Sequence, residues 1–310
     1  MRRRLFFAVI LFISSLLLGA VATGQDHFLA DETGRQVKVP LVPRRIVSLA
    51  PNVTEILFAL GLDSEIIGVT DFCDYPEAAL RKTRVGGYIN PNLEKIILLK
   101  PDLIFWIKEG SRKETLQGLA ELGYPVYVTD PKGFDGVMKT IRNIGDVVGR
   151  QEMATTIVKK MTASKNGWAA LTQPLPKPRV YFQVGMASTI TVGKGTLADD
   201  LIRFAGGRSI SEDEPMSYPS YGMEAILSKA PEIIIVSSME GKKDDAAAMQ
   251  KWQPFSSIPA VKRKAVYVVD SNLVDRPTPR IIEGLETLVR IIHPEVLRSP
   301  PSGSRPASPQ

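Results

Sequence analysis

Short apolar runs alternate with amphipathic segments along most of this chain. The runs have the length and branched residues typical of buried strands, and they cover residues 45–50, 65–70, 103–107, 126–129, 180–184, 233–237 and 266–269. The segments with apolar residues at helical spacing cover residues 51–61, 92–100, 112–122, 134–149, 151–171, 196–205, 223–229 and 280–292. Because strands that alternate with helices build parallel sheets covered on both faces, the pattern predicts an α/β fold. A polar turn near residue 34 predicts a small hairpin at its edge.

One stretch of the sequence occurs twice. Residues 92–104 return in degenerate form at residues 222–234, at an offset of 130 residues. Each copy predicts a short helix with a glutamate in its first turn, Glu94 or Glu224, followed by a proline and a buried strand. A negative charge stabilises the start of a helix, which alone could explain either glutamate. The matched pair predicts two lobes built alike and an acidic surface that a two-fold symmetric partner recognises.

The boundaries of the two lobes follow from a long helical segment and a proline-rich linker after it. We predict an N-terminal lobe at residues 23–149, a linking helix at 150–172 and a C-terminal lobe at 173–296. A helix from Gln151 to Leu171 would span roughly 30 Å and would permit only small rocking of the lobes. Its periodicity also suits an ordinary surface helix. Residues 297–310 are rich in Ser, Pro and Gly, and we expect this tail to be disordered.

The first residues have the three parts of a secretory signal. Three arginines precede an apolar run at residues 5–18, and small residues follow at 20–22. We therefore predict a signal peptide at residues 1–22, its removal, and export to the periplasm. A retained membrane anchor is the alternative, although the apolar run is short for spanning a bilayer. The predicted cleavage point has no cysteine, so attachment of a lipid there is unsupported.

Composition excludes several classes of protein. With 44% apolar and 23% charged residues, the chain of 310 residues suits two globular lobes. Outside residues 1–22, 36 basic and 33 acidic residues leave a charge of about +3, and the basic residues are scattered. Nucleic acid is therefore not an expected partner. His27 and His293 lie near the two ends of the mature chain, so we predict no metal site and no resident cofactor.

Aromatic residues concentrate where the predicted strands end. In open α/β sheets, ligands bind beyond the carboxyl ends of the strands. The candidates at those ends are Phe72, Tyr88, Trp106, Tyr218 and Arg276. Flat rings suit a large planar ligand and the arginine suits its polar groups, whereas core packing could explain any single ring. Cys73, the one cysteine, lies beside this predicted cleft, and ligation of a metal in the ligand by its thiolate is a further hypothesis.

Motifs for catalysis are weak in this sequence. Ser48 lacks the Gly-x-Ser-x-Gly context of an activated serine, and Gly193–Thr196 lacks the first glycine of a phosphate-binding loop. We therefore predict a binding protein and not an enzyme, with an exported enzyme as the rival class.

Several motifs together resemble a known family. They are residues 45–55 (RIVSLAPNVTE), 68–69 (GV) with 74–76 (DYP), 92–94 (NLE) with 99–103 (LKPDL), and 279–281 (PRI). From about residue 45 to residue 292 the chain resembles the cobalamin and ferric-siderophore receptors of bacterial ABC importers, the single-helix class of periplasmic binding proteins. Within that class it is most similar to the cobalamin-binding proteins. The resemblance implies two Rossmann-like lobes with mostly parallel sheets, joined by one long helix, with the ligand held between them.

The resemblance also implies roles for single residues. Glu94 and Glu224 match the carboxylates that dock on arginines of the two permease subunits. Phe72 and Tyr88 match aromatic residues that contact the corrin ring, and Tyr218 replaces a tryptophan of the second lobe. Arg276 matches an arginine near the ligand.

Two positions depart from the pattern of the cobalamin receptors. Ile107 replaces a tryptophan, with Trp106 one place earlier, and Asn272 replaces an acidic residue near the ligand. We expect a monomer that captures cobalamin or a related corrinoid as a transported ligand and delivers it to an ABC permease dimer. The departures leave haem or a ferric siderophore as alternative ligands.

Overall fold

Two α/β lobes form the molecule, which confirms the predicted fold class. The computed structural model describes residues 27–110, 112–239 and 245–298. The predicted signal peptide and residues 299–310 of the predicted tail lie outside these residues. Within the described chain, no helix combines the length and the apolar character needed to cross a bilayer.

The N-terminal lobe contains a five-stranded parallel sheet and an antiparallel hairpin. Its strands are β1 (His27–Ala30) and β2 (Gln36–Val39) of the hairpin, then β3 (Ile46–Ser48), β4 (Ile66–Val69), β5 (Thr83–Arg84), β6 (Leu103–Ile107) and β7 (Val126–Thr129). Its helices are α1 (Pro51–Ala59), α2 (Leu93–Leu98), α3 (Lys113–Glu121) and α4 (Gly133–Val147). The sheet order is β5-β4-β3-β6-β7, so β3 is central. Strands β1 and β2 form the hairpin that was predicted around the turn near residue 34.

The C-terminal lobe repeats this design with a four-stranded parallel sheet in the order β11-β10-β8-β9. Its strands are β8 (Arg179–Val184), β9 (Arg208–Ser209), β10 (Ile233–Ser238) and β11 (Val266–Asp270). Its helices are α6 (Leu197–Phe204), α7 (Met223–Lys229), α8 (Asp245–Trp252), α9 (Pro259–Lys262), α10 (Ser271–Val274) and α11 (Ile281–Ile292). The sequence pattern did not predict β5, β9 or the helices α8 to α10.

Helix α5 (Gln151–Thr172) joins the two lobes and is the longest described helix. Its bounds differ by one residue from the predicted linking helix at 150–172 and by one residue from the predicted helical segment from Gln151 to Leu171. Its buried residues form one stripe of the helix, and they are Ala154, Val158, Met161, Ser164, Trp168 and Thr172. This stripe belongs to a hydrophobic core that also contains strands of both sheets. The helix therefore links the lobes through shared packing as well as through the chain.

The sequence repeat corresponds to a structural repeat. Lys100 and Ala230, 130 residues apart, end α2 and α7 with positive φ angles of 47° and 45°. The guanidinium group of Arg45 donates to the carbonyls of Leu99 and Lys100, and that of Arg179 donates to the carbonyls of Lys229 and Ala230. These bonds satisfy carbonyls that the end of a helix leaves without partners. The two lobes thus use the same device to connect a short helix to the next strand.

Candidate functional site

A cleft of about 1030 Å³ lies between the lobes. Its N-terminal wall consists of residues 51–52, 72, 87–90, 107–109 and 130–133, and its C-terminal wall of residues 195–197, 217–218, 239 and 275–277. Most of these segments follow the carboxyl ends of strands. In both sheets the chain continues first to one side of the central strand and then to the other, and clefts form at such switch points.

Three aromatic residues from both lobes line the cleft. Phe72 is 55% exposed and Tyr218 is 52% exposed, large values for aromatic side chains. Tyr88 is half-buried and packs tightly against Gly110. A Cβ added at Gly110 would lie 2.2 Å from Tyr88 Cζ. The structure therefore brings together the three rings, which are distant in the sequence, on the walls of one cleft.

Two carboxylates, those of Glu109 and Asp275, act on the rings at the cleft. Burial and the nearby charge of Glu109 raise the pKa of Tyr88 to about 12, and burial with the charges of Glu109 and Asp275 raises the pKa of Tyr218. Removal from bulk water raises the pKa of the Asp275 carboxyl to about 6, while a hydrogen bond with Ser237 opposes that rise. The sequence analysis had assigned no role to Glu109 or Asp275.

Arg276 lines the cleft, as expected, but acidic residues surround its guanidinium group. Nη1 donates to Oε1 of Glu55 at 2.9 Å and to Oδ1 of Asp74 at 2.8 Å. Glu55 also accepts two hydrogen bonds from Arg280, which stacks 3.8 Å above the centre of the Tyr75 ring. Arg276 therefore connects the lobes in this structure, and its charge is already neutralised.

Trp106 and Asn272 do not line the cleft. Trp106 is 0% exposed because both faces of β6 are covered, and its neighbour Ile107, at the carboxyl end of the strand, reaches the cleft instead. Asn272 lies in α10, where its backbone N–H donates to Oδ1 of Asp270. We therefore correct the expectation that Trp106 faces a ligand between the lobes, whereas the role of Asn272 stays a prediction.

Cys73 is buried beneath the cleft wall. Its Sγ lies 3.1 Å from the hydroxyl oxygens of Thr54 and of Thr70, and burial raises the pKa of the thiol. The thiol is therefore neutral at physiological pH and points to the protein interior. This position is inconsistent with the hypothesis of thiolate ligation to a metal in the cleft. Within the described residues, no group of His, Cys, Asp and Glu side chains could hold a metal ion.

Glu94 and Glu224 lie in the first turns of α2 and α7, close in sequence to the cleft-lining residues Asn90 and Tyr218. Both glutamates are exposed. Parallel β-α-β crossovers place the start of each helix at the carboxyl edge of its sheet, the edge where the cleft opens. Both carboxylates therefore stand on the cleft side of their lobes.

Comparisons with known proteins give a consistent result. The profile of the periplasmic binding protein family matches residues 46–273. The vitamin B12-binding protein of Vibrio vulnificus strain CMCP6 is 30% identical over 243 residues, which is 78% of this chain and 87% of that protein. An uncharacterized ABC transporter substrate-binding lipoprotein of Bacillus subtilis, YvrC, is 32% identical over 275 residues, with 86% of each chain covered.

A solved structure agrees with the sequence comparisons. The crystal structure of the periplasmic vitamin B12-binding protein BtuF of Vibrio cholerae superposes with a TM-score of 0.71 at 27% identity. The match covers 82% of this chain and 98% of that one. The similarity therefore includes both lobes and the helix between them.

Proposed function

The chain belongs to the periplasmic binding protein family, and on that premise we propose that it captures cobalamin or a related corrinoid and delivers it to an ABC permease. The observation that carries the proposal is the cleft of about 1030 Å³ with rings of Phe72, Tyr88 and Tyr218 on its two walls. Ligand pockets span about 300–1000 Å³, so this cleft, at the upper end of that range, has room for a large ligand. Rings on opposite walls suit a molecule with broad flat faces.

The charges around the cleft favour a corrinoid over a ligand with several carboxylates. Each cation that lines it in the described chain, namely Lys108, Lys132 and Arg276, lies within 4 Å of a carboxylate. Glu109 and Asp275 add negative charge. A corrinoid carries neutral carboxamides around a cationic metal centre, whereas haem carries two propionates. Because each cation on the described cleft wall already has a carboxylate neighbour, the cleft offers the propionates of haem no unpaired cation, whereas neutral carboxamides need none.

Delivery requires contact with a membrane permease. Glu94 and Glu224 are both exposed, and within the described residues neither carboxylate makes a hydrogen bond or an ion pair. Carboxylates without partners are available for charge-assisted hydrogen bonds with arginines of two permease subunits. We propose that they dock the loaded protein on the permease. The predicted signal peptide then places the mature chain in the periplasm, as a binding protein that releases its ligand unchanged.

Calorimetric titration tests this proposal directly. Purified mature protein is titrated in parallel with cyanocobalamin, haem and a ferric siderophore, and we expect saturable binding of cyanocobalamin with one molecule per chain. Recovery of unaltered cyanocobalamin after denaturation would agree with transport and exclude turnover. Binding of haem or the siderophore without binding of cyanocobalamin would overturn the assignment and identify the alternative ligand class.

A further inference from the structure

Asn52 is a buried polar residue on the cleft wall with an unsatisfied donor. It is 4% exposed, it lines the cleft, and its Nδ2 atom has no hydrogen-bond partner. It is the second residue of α1, which follows the central strand of the N-terminal sheet. A buried amide donor without a partner costs free energy, which a partner supplied from outside would recover.

The polar groups around Asn52 already bond one another. The hydroxyl of Ser48 donates to the carbonyl of Ala50, and the hydroxyl of Thr54 donates to the Ser48 hydroxyl at 2.8 Å, with the Ala50 carbonyl at 3.1 Å. The carboxylate of Glu55 is occupied by Arg276 and Arg280. None of these groups in the described residues accepts a hydrogen bond from the Asn52 amide, and the residue borders the cleft.

The start of α1 strengthens the case for an acceptor from the ligand. The helix spans nine residues, and no side chain caps its first turn. Pro51 has no N–H, so the backbone N–H groups of Asn52 and Val53 and the partial positive charge of the helix end face outward. The last torsion of an asparagine side chain is soft, so the amide can turn its donor to the cleft without backbone movement.

We propose that Asn52 and the start of α1 form a subsite for a neutral oxygen acceptor of the ligand, namely a peripheral carboxamide carbonyl. The charges near Asn52 indicate that the ligand's acceptor is neutral. Glu55 lies three residues along the same side of α1 and pairs with Arg276, so no free cation stands beside Asn52 to balance a carboxylate. This inference rests on the proposed function and deepens it, because it assigns the group of the corrinoid that meets this wall.

Three variants and cyanocobalamin as the probe test the inference. Asn52→Ala removes the donor and is expected to weaken the affinity for cyanocobalamin roughly fivefold to twentyfold. Because Asn52 is unpaired in the free protein, the melting temperature without ligand is expected to stay the same or rise. Asn166→Ala, at an exposed position of α5 outside the cleft, is the matched control and is expected to change neither quantity.

Asn52→Asp tests whether the ligand group that meets Asn52 is neutral. A ligand carboxamide can turn its own NH₂ toward the aspartate and donate to it, so we expect this variant to bind cyanocobalamin at least as well as Asn52→Ala. A tenfold weaker affinity than that of Asn52→Ala would overturn the neutral assignment.

The remaining outcomes distinguish a failure of this inference alone from a failure of the proposed function. Unchanged affinity in Asn52→Ala, or a fall in its melting temperature without a fall in affinity, would show that Asn52 is structural and would overturn the inference alone. Wild-type protein that does not bind cyanocobalamin would overturn both the inference and the proposed function.

Discussion

Glu55 of the N-terminal lobe accepts two hydrogen bonds from Arg280 of the C-terminal lobe, at 2.7 and 2.8 Å. The Glu55 side chain is only 2% exposed, and Arg276 donates a third bond to it. Removal of one partner from a buried ion pair leaves the remaining charges uncompensated. These two arginines and one glutamate therefore join the lobes beside the cleft, in addition to the connection through α5.

Glu55→Ala is expected to destabilise the protein strongly. It would leave the half-buried Arg280 guanidinium group without its carboxylate partner and Arg276 with Asp74 alone, with an expected loss of about 3–5 kcal/mol in the free energy of unfolding. Urea denaturation measures this loss. The control is Glu212→Ala, which breaks an exposed pair with Arg208 and should cost less than about 1 kcal/mol. Equal effects of the two substitutions would contradict the role of Glu55 as a link between the lobes.

The same cluster shows what the sequence could and could not predict. Apolar runs and helical spacing identified most strands and helices, and the repeat identified the two lobes, because these signals are local. The bond between Glu55 and Arg276 joins residues 221 positions apart, and no local pattern indicates it. For this reason Arg276 was predicted to bind the ligand, whereas in the structure its guanidinium group donates to Glu55 and Asp74.

Trp106 was misplaced for a different reason. Every residue of β6 is buried, so the strand has no alternation of polar and apolar residues that could separate a core position from a cleft position. Only the residue at the carboxyl end of the strand reaches the cleft, and that residue is Ile107. For Phe72, Tyr88 and Tyr218, the simple rule that loops after parallel strands line the cleft was sufficient to select residues on its wall.

Gly110 is expected to control ligand affinity through Tyr88. An alanine at this position would place its Cβ 2.2 Å from Tyr88 Cζ, so the ring must leave its position on the cleft wall. We expect Gly110→Ala to weaken the binding of cyanocobalamin about tenfold through loss of ring contact. Calorimetry measures the affinity. Gly118→Ala is the control, because nothing lies within 4 Å of its added Cβ and its affinity should equal that of the wild type.

A second experiment separates the ring of Tyr88 from its hydroxyl. Tyr88→Phe keeps the flat surface on Gly110 and should retain affinity within about twofold, whereas Tyr88→Ala should match the loss in Gly110→Ala. A strong loss in Tyr88→Phe would show instead that the hydroxyl makes the essential contact.

Asp275 is expected to give the stability of the protein a pH dependence. Its folded pKa of about 6 is higher than the ordinary value of 3.8, so the folded state binds more protons than the unfolded state between about pH 4 and pH 6. The contribution of this residue to stability therefore falls as the pH rises through that range and stays low above it. Solvent in the open cleft screens the carboxylate, so the effect should be less than about 1 kcal/mol.

Asp275→Asn isolates this effect. The variant should be more stable than the wild type at pH 7, and the difference in melting temperature should shrink between pH 6 and pH 4. Because all other carboxyls titrate in both proteins, the difference between the two curves reports Asp275 alone. A difference that stays constant from pH 4 to pH 7 would contradict a raised pKa.

Glu94 and Glu224 allow a test of docking that is independent of ligand capture. Reversal of both charges, in Glu94→Arg with Glu224→Arg, would set arginine against arginine at the permease and is expected to abolish stimulation of transporter ATPase activity. Both side chains are exposed and unpaired among the described residues, so the fold and the affinity for cyanocobalamin should not change. The ATPase assay uses a permease and ATPase of the corrinoid importer class from the same organism, reconstituted in lipid vesicles.

The control for charge reversal is Glu152→Arg. Glu152 is also exposed and also lies in the first turn of a helix, but that helix is α5, which joins the lobes. If helix capping by a carboxylate were the only role of these glutamates, all three reversals would lower the melting temperature and none would affect the ATPase. If docking is their role, the single reversals Glu94→Arg and Glu224→Arg should each weaken stimulation and the double reversal should remove it. Loss of cyanocobalamin affinity in the double variant would assign the pair to the structure of the cleft and would refute docking.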